Sequence, residues 1–373
     1  MRVGIDARAL GTASGRRGVG VYIRGLLSGL APQMGPDDEL LVFGSVGEAI
    51  PDLPGARRVT LTRPRRGITL WDQLAWPLLL SRRGVTIFHS PFYAIPRLRP
   101  PGCRAVQTVH DLTPLKLPGA VSRHNARIFR LNFRLARAAD RLIVPSEATL
   151  KDVVTLLSFP AGRIAVIPQA ADITEADIVA ADAALPETLS RFGLKRRYLL
   201  HTGGHDIVKN LPGLLAAFDA LTREGRDLDL VIAGEHGPAT AALIARAAVL
   251  GALPRVRLPG FVPRPDLIAL YRGAAVVVYP SWAEGFGLPV VEAMACGAPV
   301  VTSRAGSLPE VGGDACLYAD PADPDSIAKE VGRLLDGETL AADLSRRGRE
   351  RARRFSWRET ARRTLDLYRE MAA

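Results

Sequence analysis

The chain has 373 residues, 47% of them hydrophobic and 23% charged, with a formal net charge of +11. That length exceeds what one core sustains and implies two domains, while the composition is that of an ordinary globular protein and not of a disordered or membrane one. No apolar run approaches the roughly 18 residues of a spanning helix, and the N-terminus carries no signal-peptide pattern, so the expected location is the cytoplasm.

In chain order, short β-rich runs alternate with longer amphipathic segments, the pattern of a parallel sheet wrapped by crossover helices. The first half offers "RVGID", "ELLVFG", "RRVTLT", "VTIFHS", "AVQTVH", "RLIVPS" and "IAVIP". Behind the first run, "GRRGVG" (15–20) precedes an amphipathic helix and suits close backbone approach to an anion, although a plain loop fits equally well. It is no dinucleotide fingerprint: the glycines do not directly follow the strand, and "ELLVFG" ends without the acidic ribose ligand, which disfavours a nicotinamide oxidoreductase. His89 stands near the end of one run as a candidate for lining an acceptor pocket. His110 ends another, with Asp111 beside it to orient the ring or cap the next turn.

Residues 1–186 carry a net charge of +9 against +2 for the remainder. Arg123, Arg127, Arg130, Arg134, Arg137 and Arg141 recur at spacings of four and three, which on a helix makes one basic stripe. A solvated face explains it, as does attraction to an anionic membrane surface or acceptor. Nucleic acid is disfavoured, because no binding module accompanies the charge.

The segment 169–197, acidic at first and without a β-rich run, reads as a linker and puts the domain boundary near 186. The second half then offers "YLLHTG", "LDLVIAG", "RVRLPG", "AAVVVYP", "PVVTS" and "ACLYA", and a closing helix opened by the N-cap candidate Ser356. Expected domains are therefore 1–186 and 187–355, with 356–373 as a terminal helix. Cys103, Cys296 and Cys316 are too few and scattered for a disulfide framework or zinc cluster, so buried thiols are expected.

Ligands of open parallel sheets bind beyond the strands' carboxyl ends, so residues just after strands are the site candidates. "SWAEGFGLPVVEAMACG" (281–297) lies there. Gly285 and Gly287 permit unusual backbone angles, Pro289 suits a first helical turn, and Gly297 suits a terminator. The start of such a helix is an anion site matched to a diphosphate. Glu284 precedes it and Glu292 lies inside it; as acceptor-only carboxylates they suit sugar hydroxyls, or else they cap the dipole and pair with arginine.

The run E-G-F-G-L-P-x-x-E-A-M-A-C-G-x-P-V-V resembles the signature of the retaining glycosyltransferases of family 4, which have the GT-B fold. "GRRGVGVYIRGLL", "HSPFYAIP", "VHDLTP", "VIPQAAD", "HTGGHDIVKNL", "LVIAGE", "VRLPGFVP" and "SLPEVGGDACLYADP" are similar to further family segments in order, so the likeness spans nearly the whole chain. It implies an α/β, GT-B architecture: two Rossmann-like doubly wound domains facing a central cleft, with a C-terminal helix crossing back to the first.

The implied reaction moves a hexose from a GDP- or UDP-linked donor, with mannose favoured, to a glycan or lipid-linked hydroxyl, with retention and without a metal or cofactor. The resemblance assigns His110 and Glu284 to the catalytic centre. It assigns Gly18, Gly20, Lys209, Gly285, Phe286, Gly287, Leu288 and Glu292 to the donor. One departure stands out: Val208 and Gly203 occupy the places where members commonly carry a phosphate-binding arginine, so Arg304 or an arginine of the N-terminal loop is the expected substitute. An epimerase or hydrolase of the same fold, and an inactive nucleotide-sugar-binding protein, are the alternatives. Peripheral attachment at the inner membrane face would fit the arginine stripe.

Overall fold

A computed structural model describes the chain except residues 46–49, 51, 62–69, 94, 118, 120 and 238, and gives only the backbone of 70, 71, 123 and 124. Two compact units emerge, Met1–Ala170 with Phe355–Ala373, and Ala171–Arg354. The boundaries expected at 186/187 and 355/356 thus stand at 170/171 and 354/355. The supposed linker contains a helix, Glu175–Arg191, started by a capping box in which Thr174 and Asp177 satisfy each other's backbone N–H groups. It packs in the second unit against the helix Arg264–Gly273.

The first unit holds β1 (Arg2–Asp6), β2 (Glu39–Ser45), β3 (Ala56–Leu61), β4 (Ile87–Ser90), β5 (Arg104–Thr108), β6 (Arg141–Val144) and β7 (Ile164–Val166). They form one sheet in the order β3-β2-β1-β4-β5-β6-β7, parallel throughout. The second unit holds β8 (Arg197–Thr202), β9 (Leu228–Ala233), β10 (Val256–Gly260), β11 (Val276–Tyr279), β12 (Val300–Ser303) and β13 (Leu317–Ala319), ordered β10-β9-β8-β11-β12-β13 and likewise parallel. Each β-rich run of the sequence contains one strand. The runs overshoot at their ends: β5 stops at Thr108, so His110 lies in the loop beyond it.

Both units are doubly wound, with apolar layers on either face of the sheet. In β2, Leu40 and Val42 join one core with Tyr22, Leu26, Trp357 and Tyr368, while Leu41 and Phe43 join another with Trp76, Phe88 and Phe133. This is the alternation of a strand covered on both sides. In the second unit β9, β11 and β12 are buried at every position. All three cysteines are buried and free.

The closing helix, Trp357–Ala372, belongs to the first unit and is capped by Ser356, whose Oγ accepts from the Glu359 N–H at 3.2 Å. It lies on the helix Gly18–Leu30, and two glycines one turn apart make the seat. A Cβ on Gly25 would stand 2.2 Å from the Trp357 ring, and one on Gly29 would stand 2.6 Å from the Trp357 carbonyl oxygen.

The arginine stripe is shorter than its spacing implied. Arg127, Arg130 and Arg134 are exposed on the helix Arg123–Ala136 beside Ile128 and Leu131. The side chain of Arg123 lies outside the described residues. Arg137 caps the helix and donates to the Leu157 carbonyl at 3.0 Å, and Arg141 starts β6 and pairs with Glu370 at 2.6 Å. The three-and-four spacing runs on past the helix end without helical geometry to give it meaning.

Substituting Gly25 by Val forces a branched side chain against the Trp357 ring, and overpacking of this kind costs about 1–3 kcal/mol. The expected result is a lowered thermal unfolding midpoint followed by circular dichroism; an unchanged midpoint would show that this seat is not close-packed.

Candidate active site

In the second sheet the strand order reverses between β8 and β11, the place where open parallel sheets bind ligands beyond their carboxyl ends. Two of the expected residues meet there. Lys209, on the loop after β8, donates from Nζ to Glu284 Oε1 at 2.6 Å and to the Tyr279 hydroxyl at 2.6 Å. Glu284 lies on the loop after β11, and Tyr279 is the last residue of β11. The loops are joined by Trp282 N–H donating to the Val208 carbonyl at 2.8 Å.

Burial lowers the Lys209 pKa, but the Glu284 carboxylate and the Tyr279 hydroxyl outweigh it, and the net direction is upward. The ammonium therefore keeps its charge across the physiological range. His201 stacks on Tyr279 with ring centroids 5.3 Å apart and planes at 13°, and its Nδ1–H donates to the Val278 carbonyl at 3.0 Å. Burial pushes this imidazole down to about 3, so it adds no second positive charge beside the lysine.

The Gly285–Gly287 turn leads into the helix Leu288–Ala295. Gly287 occupies the cap with φ +97°, where a side chain would be strained, and Gly297 terminates the helix with φ +74°. The Glu284 carbonyl accepts from the N–H and Oγ of Ser307, each at 3.2 Å, and a Cβ on Gly306 would lie 2.3 Å from that oxygen. The loop after β12 thus clamps the main chain that carries Glu284.

Glu292 faces a different set of groups. Tyr271 donates its hydroxyl to Oε2 at 3.1 Å, and Thr202 Oγ1 lies 2.6 Å from the same hydroxyl. Burial raises the Glu292 pKa, with the Arg264 charge and the Tyr271 bond opposing. Among the described residues neither glutamate forms a hydrogen-bonded arginine pair: Glu284 is held by lysine and Glu292 by a tyrosine.

Gly203 has φ +137°, a backbone conformation in which a side chain at 203 would be strained. Arg304, just past β12, places its guanidinium 4.5 Å from the centroid of the Tyr318 ring.

In the first unit, Gly18 opens the helix Gly18–Leu30 and Gly20 is buried. A Cβ on Gly20 would meet the Gly15 carbonyl at 1.9 Å, so this glycine spacing serves a tightly folded loop. His110 is fixed on both ring nitrogens: Nε2 lies 2.8 Å from the Pro91 carbonyl and Nδ1 lies 3.0 Å from Gln169 Nε2. Tyr22 meets the ring edge-on with centroids 4.9 Å apart. Asp111 does not orient the ring; its Oδ1 accepts from the Thr113 N–H at 2.8 Å and caps the turn.

His89 is fully buried, with Nε2 2.8 Å from Thr108 Oγ1 and Nδ1 2.5 Å from the Tyr368 hydroxyl. It belongs to a polar network inside the core and lines no acceptor pocket.

The residues that sequence reasoning passed over are Tyr279, Tyr271, Thr202, Thr108, Tyr22 and Gln169. Thr108, Thr202 and Tyr279 each end a strand, a position beside the loops from which the candidates came, and that is the signal that could have found them. Tyr22, Tyr271 and Gln169 carry no such local mark.

Residues 190–351 match the family described as glycosyl transferases group 1, and residues 16–175 match glycosyltransferase family 4. The O-antigen chain mannosyltransferase B of Escherichia coli is 34% identical over 291 residues, which cover 76% of this chain and 74% of that protein. The D-inositol 3-phosphate glycosyltransferase of Salinispora tropica is 31% identical over 295 residues, 73% of this chain and 60% of that one. In fold, the chain is similar to a sucrose-phosphate synthase from Thermosynechococcus elongatus, with TM-score 0.75 and 21% identity over 100% of this chain and 99% of that one. It is likewise similar to Anabaena HepE in complex with UDP and glucose, with TM-score 0.74 and 17% identity over 99% and 100% of the two chains.

His89 and His201 are held neutral in the folded state down to about pH 3, whereas unfolded imidazoles titrate near 6.5. Between those values the unfolded chain binds more protons, so stability is lost as pH falls below about 6.5. Thermal midpoints are expected to fall from pH 7 to pH 5, and His89→Gln should flatten that slope; a slope unaffected by the substitution would reject the assignment.

Proposed function

The chain belongs to the glycosyl transferases group 1 and glycosyltransferase family 4, and on that premise we propose how this glycosyltransferase moves its hexose. The donor is a GDP- or UDP-linked hexose, with mannose favoured by the relatives that are mannosyltransferases. The observation that carries the reading is the Lys209 ammonium held 2.6 Å from Glu284 at the strand-order reversal, beside the Gly285–Leu288 turn that starts a helix.

In this reading the diphosphate rests against the backbone of Gly285, Phe286, Gly287 and Leu288, where the helix dipole favours an anion. Lys209 neutralises the charge that develops as the bond from the anomeric carbon to the phosphate oxygen breaks. The acceptor oxygen bonds to the anomeric carbon on the face the phosphate leaves, and its proton passes to the departing phosphate oxygen, which retains configuration. Glu292 grips the ribose hydroxyls and Glu284 those of the hexose. His110 is assigned to the hexose, and Gly18 and Gly20 to the donor phosphates.

The acceptor is a glycan or lipid-linked hydroxyl. Arg127, Arg130 and Arg134, exposed with Ile128 and Leu131 on one helix, support an anionic membrane surface as the place where such an acceptor is met. No described helix is long and apolar enough to cross a membrane. Replacing the three arginines by Ser should release the protein from anionic vesicles in a sedimentation assay and leave its unfolding midpoint unchanged. Equal sedimentation of both proteins would remove this partner.

A panel of nucleotide sugars tested by thermal shift identifies the donor, since a ligand that binds only the native state raises the midpoint with affinity. With that donor, Glu292→Gln is expected to lower kcat/KM roughly 10- to 100-fold, the worth of a charged hydrogen bond, without changing the fold. Near-normal turnover would reject the role given to Glu292. Sugar released free or epimerised, with none on an acceptor, would point to a hydrolase or epimerase instead.

A further inference from the structure

The His110 ring sits in a closed set of contacts that its neighbours in sequence do not supply. The Pro91 carbonyl, 2.8 Å from Nε2, can only accept, so Nε2 carries the proton. Nδ1 of the neutral ring is then an acceptor, and it lies 3.0 Å from the amide nitrogen of Gln169, which donates. Gln169 is buried and stands just past β7, and the His110 loop follows β5, two strands away in the sheet. Both ring nitrogens are engaged, which leaves neither as a base for an acceptor hydroxyl.

We propose that Gln169 is a positioning residue that locks His110 as the neutral Nε2–H tautomer, in one orientation, so that the histidine works as a fixed hydrogen-bonded wall of the site and not as a proton acceptor. The proposal rests on the reading above that His110 faces the transferred sugar.

The other groups around the ring agree with this. Tyr22, from the helix Gly18–Leu30, meets it edge-on, and its hydroxyl is hydrogen-bonded to Thr108 Oγ1 at 3.0 Å. His89 of β4 is uncharged, because burial holds it at about 3. Asp111 favours the charged ring, but its Oδ1 is bound to the Thr113 N–H, and burial prevails in keeping the His110 pKa below its ordinary value. A carboxylate in place of the Gln169 amide would invert the arrangement: it can only accept, so Nδ1 would need a proton and the imidazolium would be favoured.

Nitrogen-15 NMR of the full chain labelled at histidine tests the lock without reference to activity. The wild-type His110 signal is expected to be that of the Nε2–H tautomer through neutral pH, and in Gln169→Glu its titration is expected to move to higher pH. An Nδ1–H wild-type ring, or a titration identical in the two proteins, overturns the proposal; if Gln169→Glu does not fold, the wild-type tautomer still decides.

Turnover separates this proposal from the reading it rests on. Gln169→Leu is expected to lower kcat roughly tenfold, the worth of one buried hydrogen bond, with donor KM little changed. Gln169→Asn, which keeps the amide, should recover part of that loss. Should His110→Ala leave turnover intact, the sugar-facing role of His110 fails. Should His110→Ala abolish turnover while Gln169→Leu leaves kcat as in the wild type, the positioning role alone fails.

Discussion

The reversal of strand order between β8 and β11 is the constraint on which the second unit's chemistry depends. Neighbouring parallel strands send their chains out at the same edge, and where successive crossovers turn to opposite faces of the sheet the two outgoing loops lie side by side at the place such sheets bind ligands. Lys209 and Glu284 come from those two loops and meet there at 2.6 Å. The ammonium has a second acceptor in the Tyr279 hydroxyl, and the His201 ring stacks on that tyrosine. The His201 ring stays uncharged, so the ammonium keeps its Glu284 and Tyr279 contacts without a competing cation.

Glycine has two different duties around that edge. At Gly287 and Gly203 the backbone adopts positive φ, one at a helix cap and the other beside the lysine stem. At Gly306 the demand is space, since the Glu284 carbonyl occupies the place of a Cβ. The first unit uses glycine in the second way, at Gly20 to fold a loop tightly and at Gly25 and Gly29 to seat the terminal helix. That helix is more than a brace: its Tyr368 hydroxyl reaches His89 at 2.5 Å and joins the network of Thr108 and Tyr22 beneath His110.

Buried polar groups in such a network are stable only while all of them are paired, which ties the orientation of His110 to residues from four separate segments. Pro91, Gln169 and Tyr22 touch the ring itself, while Thr108 and His89 fix Tyr22 from below. In the proposed reading, in which His110 faces the transferred sugar, rigidity of this kind suits holding that sugar in one pose, where misplacement by about 1 Å lowers the rate.

The local sequence determined the strands, because runs such as "RLIVPS" and "AAVVVYP" are apolar on successive positions and can only be covered on both sides. It also determined the Gly285–Gly297 turn and helix, whose glycine, proline and helix-forming residues act within a few positions of one another. It misjudged the domain boundary, since the acidic opening of 175–191 hid a capped helix, and it extended the arginine stripe past Ala136, since spacing alone does not reveal where a helix ends. Tertiary structure alone decided which of these groups bond to one another. The pairing of Lys209 with Glu284 across 75 residues, of Tyr271 with Glu292 across 21 and of Gln169 with His110 across 59 follows from strand order and loop direction. Those are properties of the assembled sheet, and no short-range pattern of side chains encodes them.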